Sequence, residues 1–370
     1  MQYNFVILRL KTTTRTMQDI NTNSIQALEA LIYEARKISI VTHQKPDGDA
    51  MGSSVALYHY LRMCGKDSVR IILNDRFPAN LDFLTSGVTF GDIIFFQEMQ
   101  ETAEILIRDS DLIFCLDFNA FHRTDQMENV LTESKARKVL IDHHLNPVRS
   151  AFDLSFSETE ISSASELLYQ ILIRTSRIGM DATLLPSESA AALMTGMTTD
   201  TNNFSNSTYP STFLMASDLL AAGVDRDAIL SNLYNQFGEN RLRVMGHMMK
   251  DLLTITEDGV AYIVLDKADL ERYSVAEGDT EGFVNMPLSI AKVRMSILAK
   301  EDEGKIRISV RSRKGTSANG CARTYFNGGG HENAAGGRLR IPEDVQGVKD
   351  VAEYIEKHTH IYLNQENEKN

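Results

Sequence analysis

The sequence predicts an α/β protein: an N-terminal, mainly parallel sheet flanked by helices, followed by a smaller C-terminal α/β domain. Three observations predict it. In the first half, short apolar runs (KISIVTH, DSVRIIL, DLIFCLD, KVLID) alternate with stretches of helical period, the pattern of βαβ units. In the second half, VRMSILAKEDEGKIRISVRS reads as two adjacent strands around an acidic, Gly-containing turn. At 370 residues the chain is also longer than most single cores hold.

The elements follow in order. MQYNFVILRLKTTTRT carries an apolar run too short for a signal peptide, with no charged region ahead of it and no small-residue cleavage site. Residues 1–20 are therefore expected to be an extension, with Met17 as an alternative start. From Ser24, taken as an N-cap, SIQALEALIYEARK places Ala27, Leu28, Leu31, Ile32 and Ala35 on one helical face. KISIVTH is a strand ending at His43, and GSSVALYHYLRMCG a helix stopped by Gly65. Further strands follow at DSVRIIL, at DLIFCLD ending on Asp117, and at KVLID ending on Asp142. SASELLYQILIRT and SESAAALMTGMTTD are helical and complete a first domain over 21–210, with a helical connector over 211–253. A second domain, 254–343, contains the strand AYIVLD, the strand pair above, a helix near ANGCARTYF and the glycine cluster NGGGHENAAGG. A last helix, VKDVAEYIEKH, and a polar tail fill 344–370.

Composition narrows the function. No apolar run is long enough to span a bilayer. Cys64, Cys115 and Cys321 are far apart and form no CxxC pair, which argues against a disulfide framework or a thiolate zinc site and fits a reducing cytoplasm. A net charge of -12 argues against a protein that coats long nucleic acid, because such binding rests on Lys and Arg neutralising many phosphates. A small anionic substrate fits if a metal or a local Arg reverses the charge at one site.

The polar ends of the strands carry the chemistry. In open parallel sheets the carboxyl ends of the strands form the ligand crevice, so His43, Asp117 and the Asp142-His143-His144 cluster would meet there. In VTHQKPDGDAMGS, His43, Asp47 and Asp49 form an H-x3-D-x-D turn shaped by Pro46 and Gly48. Asp200, in GMTTDTNNFSN, ends a helix. Any one of these alone is an ordinary cap or turn residue. Together they are imidazoles and carboxylates that would repel one another or stay poorly solvated without cations. Two imidazoles and four carboxylates exceed what one ion takes from protein. Two ions sharing a bridging carboxylate, about 3.5 to 4 Å apart, would use them all. Oxygen and imidazole donors without thiolate suit Mn(II), with Mg(II), Zn(II), Co(II) or Fe(II) as competitors.

HQKPDGDAMGS, LDFN, DHH, TTDT and, much later, NGGGHENAAGG together resemble the DHH phosphoesterase superfamily in its form with a C-terminal DHH-associated domain. The likeness runs from about residue 20 to 340 and is to the nanoRNase/pAp phosphatase (NrnA) type. It implies an active site in the cleft between the domains. It implies that His43 and Asp47 bind one manganese ion, that Asp49, His143 and Asp200 bind the other, and that Asp117 bridges both. His144 would contact the substrate phosphate and assist proton transfer, with Asp142 orienting a neighbour. Arg311 and Ser312, with Gly328, Gly329, Gly330 and His331, are similar to the family's substrate-binding elements. That agrees with elementary chemistry: glycines let backbone N–H groups approach an anion and Arg offers it a bidentate fork. A GGG run alone would read as a flexible turn; beside His331 it is expected to be an anion loop. Ser317 and Asn319 receive no role.

The resemblance implies metal-dependent hydrolysis of short oligoribonucleotides to mononucleotides and of 3'-phosphoadenosine 5'-phosphate (pAp) to AMP and phosphate, by a cytoplasmic homodimer. The rivals are a pApA or cyclic-dinucleotide phosphodiesterase, a RecJ-like exonuclease, a family II pyrophosphatase and, from another class, a non-catalytic nucleotide sensor.

Overall fold

The computed structural model describes residues 19–235, 238–276 and 278–369, with side chains through 365. All but the last two residues of the expected extension, Met17 included, lie outside the described residues. The chain divides into two compact units, with the boundary between residues 235 and 238.

In the first unit six strands form one all-parallel sheet: β1 (Lys37–Thr42), β2 (Ser68–Leu73), β3 (Ile93–Phe95), β4 (Leu112–Leu116), β5 (Arg137–Asp142) and β6 (Leu154–Ser157). Their order is β3-β2-β1-β4-β5-β6. Sequence reading missed β3 and β6, because edge strands of three and four residues leave too few apolar positions to show a period. Helices α1 (Thr22–Glu34), α2 (Gly48–Met63), α3 (Gln100–Arg108), α4 (Glu128–Glu133), α5 (Ala164–Leu172), α6 (Ser187–Asp200), α7 (Pro210–Ala221) and α8 (Arg226–Tyr234) complete the unit. Ile38 and Ile40 of β1 pack into one core with α1, α2 and α5 to α8, whereas Val41 joins a second core with α3 and α4. Burial on both faces is why the strands read as continuous apolar runs rather than alternating ones.

Two expected boundaries shift. Helix α1 starts at Thr22, with Asn21 as its cap: Asn21 Oδ1 accepts from Ser24 N at 3.0 Å while Ser24 Oγ accepts from Asn21 N, so Ser24 closes a capping box instead of starting the helix. The stretch 211–253 also does not stand apart as a connector. Met215, Leu219, Ile229 and Leu233 belong to the first unit's core, while Val244 and Met248 belong to a core of the second.

Close helix packing brings the acids together. A Cβ on Gly52 of α2 would lie 2.6 Å from the Ala192 carbonyl oxygen, and one on Gly196 of α6 would lie 2.0 Å from Ser165 Oγ. Only glycine lets α2, α5 and α6 approach this far, which sets Asp49 and Asp200 near each other.

The second unit contains α9 (Glu239–His247), β7 (Thr254–Ile255), β8 (Val260–Leu265), α10 (Lys267–Arg272), β9 (Met295–Asp302), β10 (Lys305–Ser312), α11 (Ala318–Tyr325), β11 (Gly329–His331), β12 (Ala334–Arg340) and α12 (Val351–Lys369). Its sheet has the order β11-β12-β10-β9-β8-β7 and is antiparallel except between β8 and β9. No helix among the described residues is long and apolar enough to cross a membrane, and no disulfide joins the cysteines among the described residues.

Candidate metal centre

Strand order reverses at β1, which has β2 on one side and β4 on the other, and a ligand crevice is expected at such a switch point. Thr42 pairs with Leu116, so His43 and Asp117 leave neighbouring strands side by side. Leu116 pairs with Ile141, which sets the Asp142-His143-His144 turn next to Asp117 on its other flank.

Asp117 is the centre of the arrangement. It sits in the left-handed region at φ 62, and each of its two carboxylate oxygens lies beside a different imidazole. Oδ2 lies 3.4 Å from His43 Nε2 and Oδ1 3.4 Å from His143 Nε2. On the first side, Asp47 Oδ1 is 3.9 Å from His43 Nε2. On the second, Asp49 Oδ2 and Asp200 Oδ2 are 3.9 and 3.6 Å from His143 Nε2. His43, Asp47 and Asp117 can thus offer donor atoms mutually within 4.8 Å, as can Asp49, His143 and Asp200, and Asp117, His143 and His144. These seven of the sequence-derived residues come together here. His43 Nδ1 lies 2.7 Å from the Gln44 carbonyl and donates to it, which leaves Nε2 as the nitrogen facing the carboxylates.

Two acids are held by helix starts. Asp47 caps α2, its Oδ1 accepting from Asp49 N and Ala50 N at 3.0 and 3.1 Å. Asp49 is gripped from outside its own helix, accepting from Ala164 N at 2.6 Å and Ser165 N at 2.9 Å at the start of α5. This grip was missed in the sequence. Its signal is the S-x-x-E of Ser163 and Glu166, a helix-start pattern in which Ser163 Oγ accepts from Glu166 N at 2.9 Å.

The electrostatics ask for cations. No Lys or Arg pairs with Asp47, Asp49, Asp117 or Asp200 among the described residues, and Asp117 Oδ1 and Asp142 Oδ2 are buried without a hydrogen-bond partner. Burial, reinforced by the charge on Asp117, pushes the Asp49 carboxyl up to about 7. Asp200 is driven well above the usual carboxylate range by burial first, with Asp49 and Asp117 adding repulsion against the pull of His143. Burial works against a charged His43, yet Asp117 and Asp47 raise it to about 9. Against the same penalty, Asp117 and Asp200 raise His143 well above the imidazole range. Burial would raise Asp117 too, but the two imidazoles hold it far below ordinary carboxylates. Without metal, the cluster thus keeps protons as its counter-charge. Buried carboxylates and imidazoles that hold protons in place of cations suit divalent metal ions, which would displace those protons.

His144 stands beside this cluster. Its Nδ1 is 2.7 Å from Asp142 Oδ1, and Asp142 is fully buried at the end of β5. The pair fixes the ring so that Nε2 is the edge turned away from Asp142.

In the second unit the expected substrate-binding residues divide. Arg311, half-buried on β10, donates to the carbonyls of Val310 and Ala335 at 3.0 and 3.3 Å, and no carboxylate pairs with it among the described residues. Burial lowers its affinity for the proton. Ser312, by contrast, is fully occupied: Oγ donates to Thr316 O and accepts from Ala318 N and Asn333 Nδ2. It therefore holds the turn ahead of α11. The glycine run is an edge strand rather than a loop, because Gly329–His331 pairs with Ala334–Gly336. A Cβ on Gly328 would stand 1.9 Å from the Gly336 carbonyl oxygen, so here glycine answers to close strand approach. The N–H of Gly330 is already taken by Asn319 Oδ1 at 3.0 Å, which gives that previously unassigned residue a role in fixing the segment. His331 is exposed at its end.

Comparison with known proteins agrees with this geometry. Residues 37–197 match the DHH family N-terminal domain and residues 257–357 the DHHA1 domain. The bifunctional oligoribonuclease and PAP phosphatase NrnA of Bacillus subtilis (strain 168) is 27% identical over 300 residues, covering 80% of this chain and 87% of that protein. The NrnA of Thermus thermophilus is 27% identical over 333 residues, covering 90% and 91%. The crystal structure of an exopolyphosphatase-related protein from Bacteroides fragilis superposes with a TM-score of 0.86 at 36% identity, covering 95% of this chain and 99% of that one. A phosphoesterase fold with two His/Asp groups joined by one carboxylate defines the class, a hydrolase of phosphate esters. The chain belongs to the DHH superfamily with a DHHA1 domain, and within it to the NrnA type.

Proposed function

We propose that the protein hydrolyses short oligoribonucleotides to mononucleotides and pAp to AMP and phosphate, using two divalent ions. The observation that carries this reading is Asp117, whose two oxygens each face a different imidazole at 3.4 Å, as a bridging carboxylate would. His43 and Asp47 would hold one ion, and Asp49, His143 and Asp200 the other, with Asp117 common to both. The donors are oxygen and imidazole only, which suits Mn(II) and admits Mg(II). Bound there, the ions would acidify a water and polarise a phosphoryl oxygen. The chain's own residues do the rest. Asp142 fixes the orientation of the His144 ring, so that Nε2 can contact the phosphate and pass a proton to the leaving oxygen. Asp49 is kept from turning by the two N–H groups of α5. Arg311, with no acidic partner among the described residues, offers its guanidinium to a phosphate. His331 and Gly329–Gly330 lie on the same sheet as Arg311, whereas Ser312 holds the turn ahead of α11.

The test is a panel. Protein stripped of metal, then restored with Mn(II) or Mg(II), is offered diribonucleotides, pAp, pApA, cyclic dinucleotides and pyrophosphate. Mononucleotide and AMP release with Mn(II), absent without metal, is expected. Stoichiometric binding of pAp without turnover would instead identify a sensor, and turnover of cyclic dinucleotides or pyrophosphate alone would overturn the substrate assignment.

A further inference from the structure

We infer that Asp75, which lies outside every motif above, is a positioning residue for the ion proposed at His43 and Asp47; the inference rests on the two-ion reading. Both ligands sit on one turn, residues 43–47, and that turn is strained. Lys45 adopts φ 53, in the left-handed region, which is unfavourable for a residue with a side chain. Such a conformation persists only where its surroundings hold it. Two hydrogen bonds from outside do so: Gln44 N donates to the Arg123 carbonyl at 2.8 Å, and Lys45 N, at the strained residue itself, donates to Asp75 Oδ2 at 2.8 Å.

Asp75 is itself fixed. It follows β2, the neighbour of β1, and its Oδ2 also accepts from Asn74 Nδ2 at 2.9 Å, where Asn74 is fully buried. Its Oδ1 accepts from Gln97 Nε2 at 2.8 Å, and Gln97 lies just beyond β3, the next strand outward. A line of hydrogen bonds therefore crosses from β3 through β2 to the turn after β1. Three N–H donors converge on one side chain, and only a carboxylate offers acceptors alone. No Lys or Arg pairs with Asp75 among the described residues, so its charge also adds to the attraction for a cation at the adjacent turn. The ligands of the second trio, Asp49, His143 and Asp200, stand on α2, after β5 and on α6, none of them on this turn. Loss of Asp75 should therefore weaken one ion and spare the other.

The experiment is Mn(II) titration of the full chain by calorimetry and electron paramagnetic resonance, for wild type, Asp75→Ala, Asp75→Asn and Gln97→Ala. Wild type should take two ions and give a spin-coupled pair. Asp75→Ala should keep one ion near wild-type affinity while the Kd of the other rises about 10–100-fold. The coupled signal should give way to that of isolated Mn(II) and return, with turnover, at excess Mn(II). Asp75→Asn, which can still accept from Lys45 N, should fall between. Gln97→Ala, at an exposed position, should show the same selective weakening in smaller measure even if Asp75→Ala proves poorly folded. Two ions at wild-type affinity in Asp75→Ala and Gln97→Ala, or equal weakening of both ions, would overturn the inference. A wild-type protein that takes fewer than two ions would instead sink the two-ion reading on which it stands.

Discussion

Replacing Asp117 by Asn and, separately, by Ala divides its work into charge and backbone. Asp117 holds φ 62, a region that Asn visits readily and Ala reaches at a cost of about 1–2 kcal/mol. In metal-free protein both variants lose the same interaction with the His43 and His143 imidazoles, so the Ala variant should be less stable than the Asn variant by about 1 kcal/mol. The charge term is larger. At about 4 Å and an effective dielectric near 20, a pair of unit charges is worth about 4 kcal/mol and a divalent ion faces twice that, so the loss in affinity is at least about a thousandfold. Because the two oxygens of Asp117 lie beside different imidazoles, that loss should fall on both ions. The assay is Mn(II) calorimetry, chemical denaturation in chelator, and mononucleotide release from a diribonucleotide. Asp117→Asn should remain folded yet bind both ions at least about a thousandfold more weakly and lose activity to the same extent. Metal affinity and turnover within tenfold of wild type in the Asn variant would refute the bridging role, and equal stability of the two variants would refute the backbone argument.

Three further predictions follow from the same geometry. Gly196→Ala would place a Cβ 2.0 Å from Ser165 Oγ and 2.9 Å from Asp49 Oδ1; overpacking of about 1–3 kcal/mol should lower the melting temperature and weaken the ion bound with Asp49, seen by thermal melts with and without Mn(II). Asp142→Asn should leave metal content unchanged while kcat falls about 10–100-fold, because His144 loses its carboxylate partner and not its place; loss of metal would contradict this. In metal-free protein, His43 has a folded pKa raised to about 9, so its stabilisation is complete below about pH 6.5 and is lost as pH rises through about 9. Asp49, raised to about 7, adds a loss of stability between about pH 4 and about pH 7. Melting temperature in chelator should therefore decline from acid to alkaline pH, saturating Mn(II) should reverse the decline, and metal binding near neutral pH should release protons to the buffer. A flat profile in chelator would be inconsistent with the cluster described.

The parallel sheet was legible because its central strands, buried on both faces, leave unbroken runs such as Val139–Ile141 that end on polar residues. The candidate cluster was legible for the same reason: Asp117 follows an apolar run directly, His43 and His143 follow one after a single polar residue, and few structural needs place an imidazole or carboxylate there. What the sequence by itself determined, then, is local: which residues alternate in period, where helices stop, and which side chains can hold a metal or a proton. Tertiary structure alone decided the rest. It set the two oxygens of Asp117 beside different imidazoles, it brought two backbone N–H groups of α5 onto Asp49 from a segment 115 residues away, and it made the glycine run an edge strand rather than a loop. It also recruited Asp75 and Asn319, residues whose types are common in turns and whose spacing carries no period. Hydrogen bonds between distant segments depend on where packing sets the backbone, and helix approach at Gly52 and Gly196 sets it here to within a few tenths of an ångström. No reading of neighbours along the chain contains that distance.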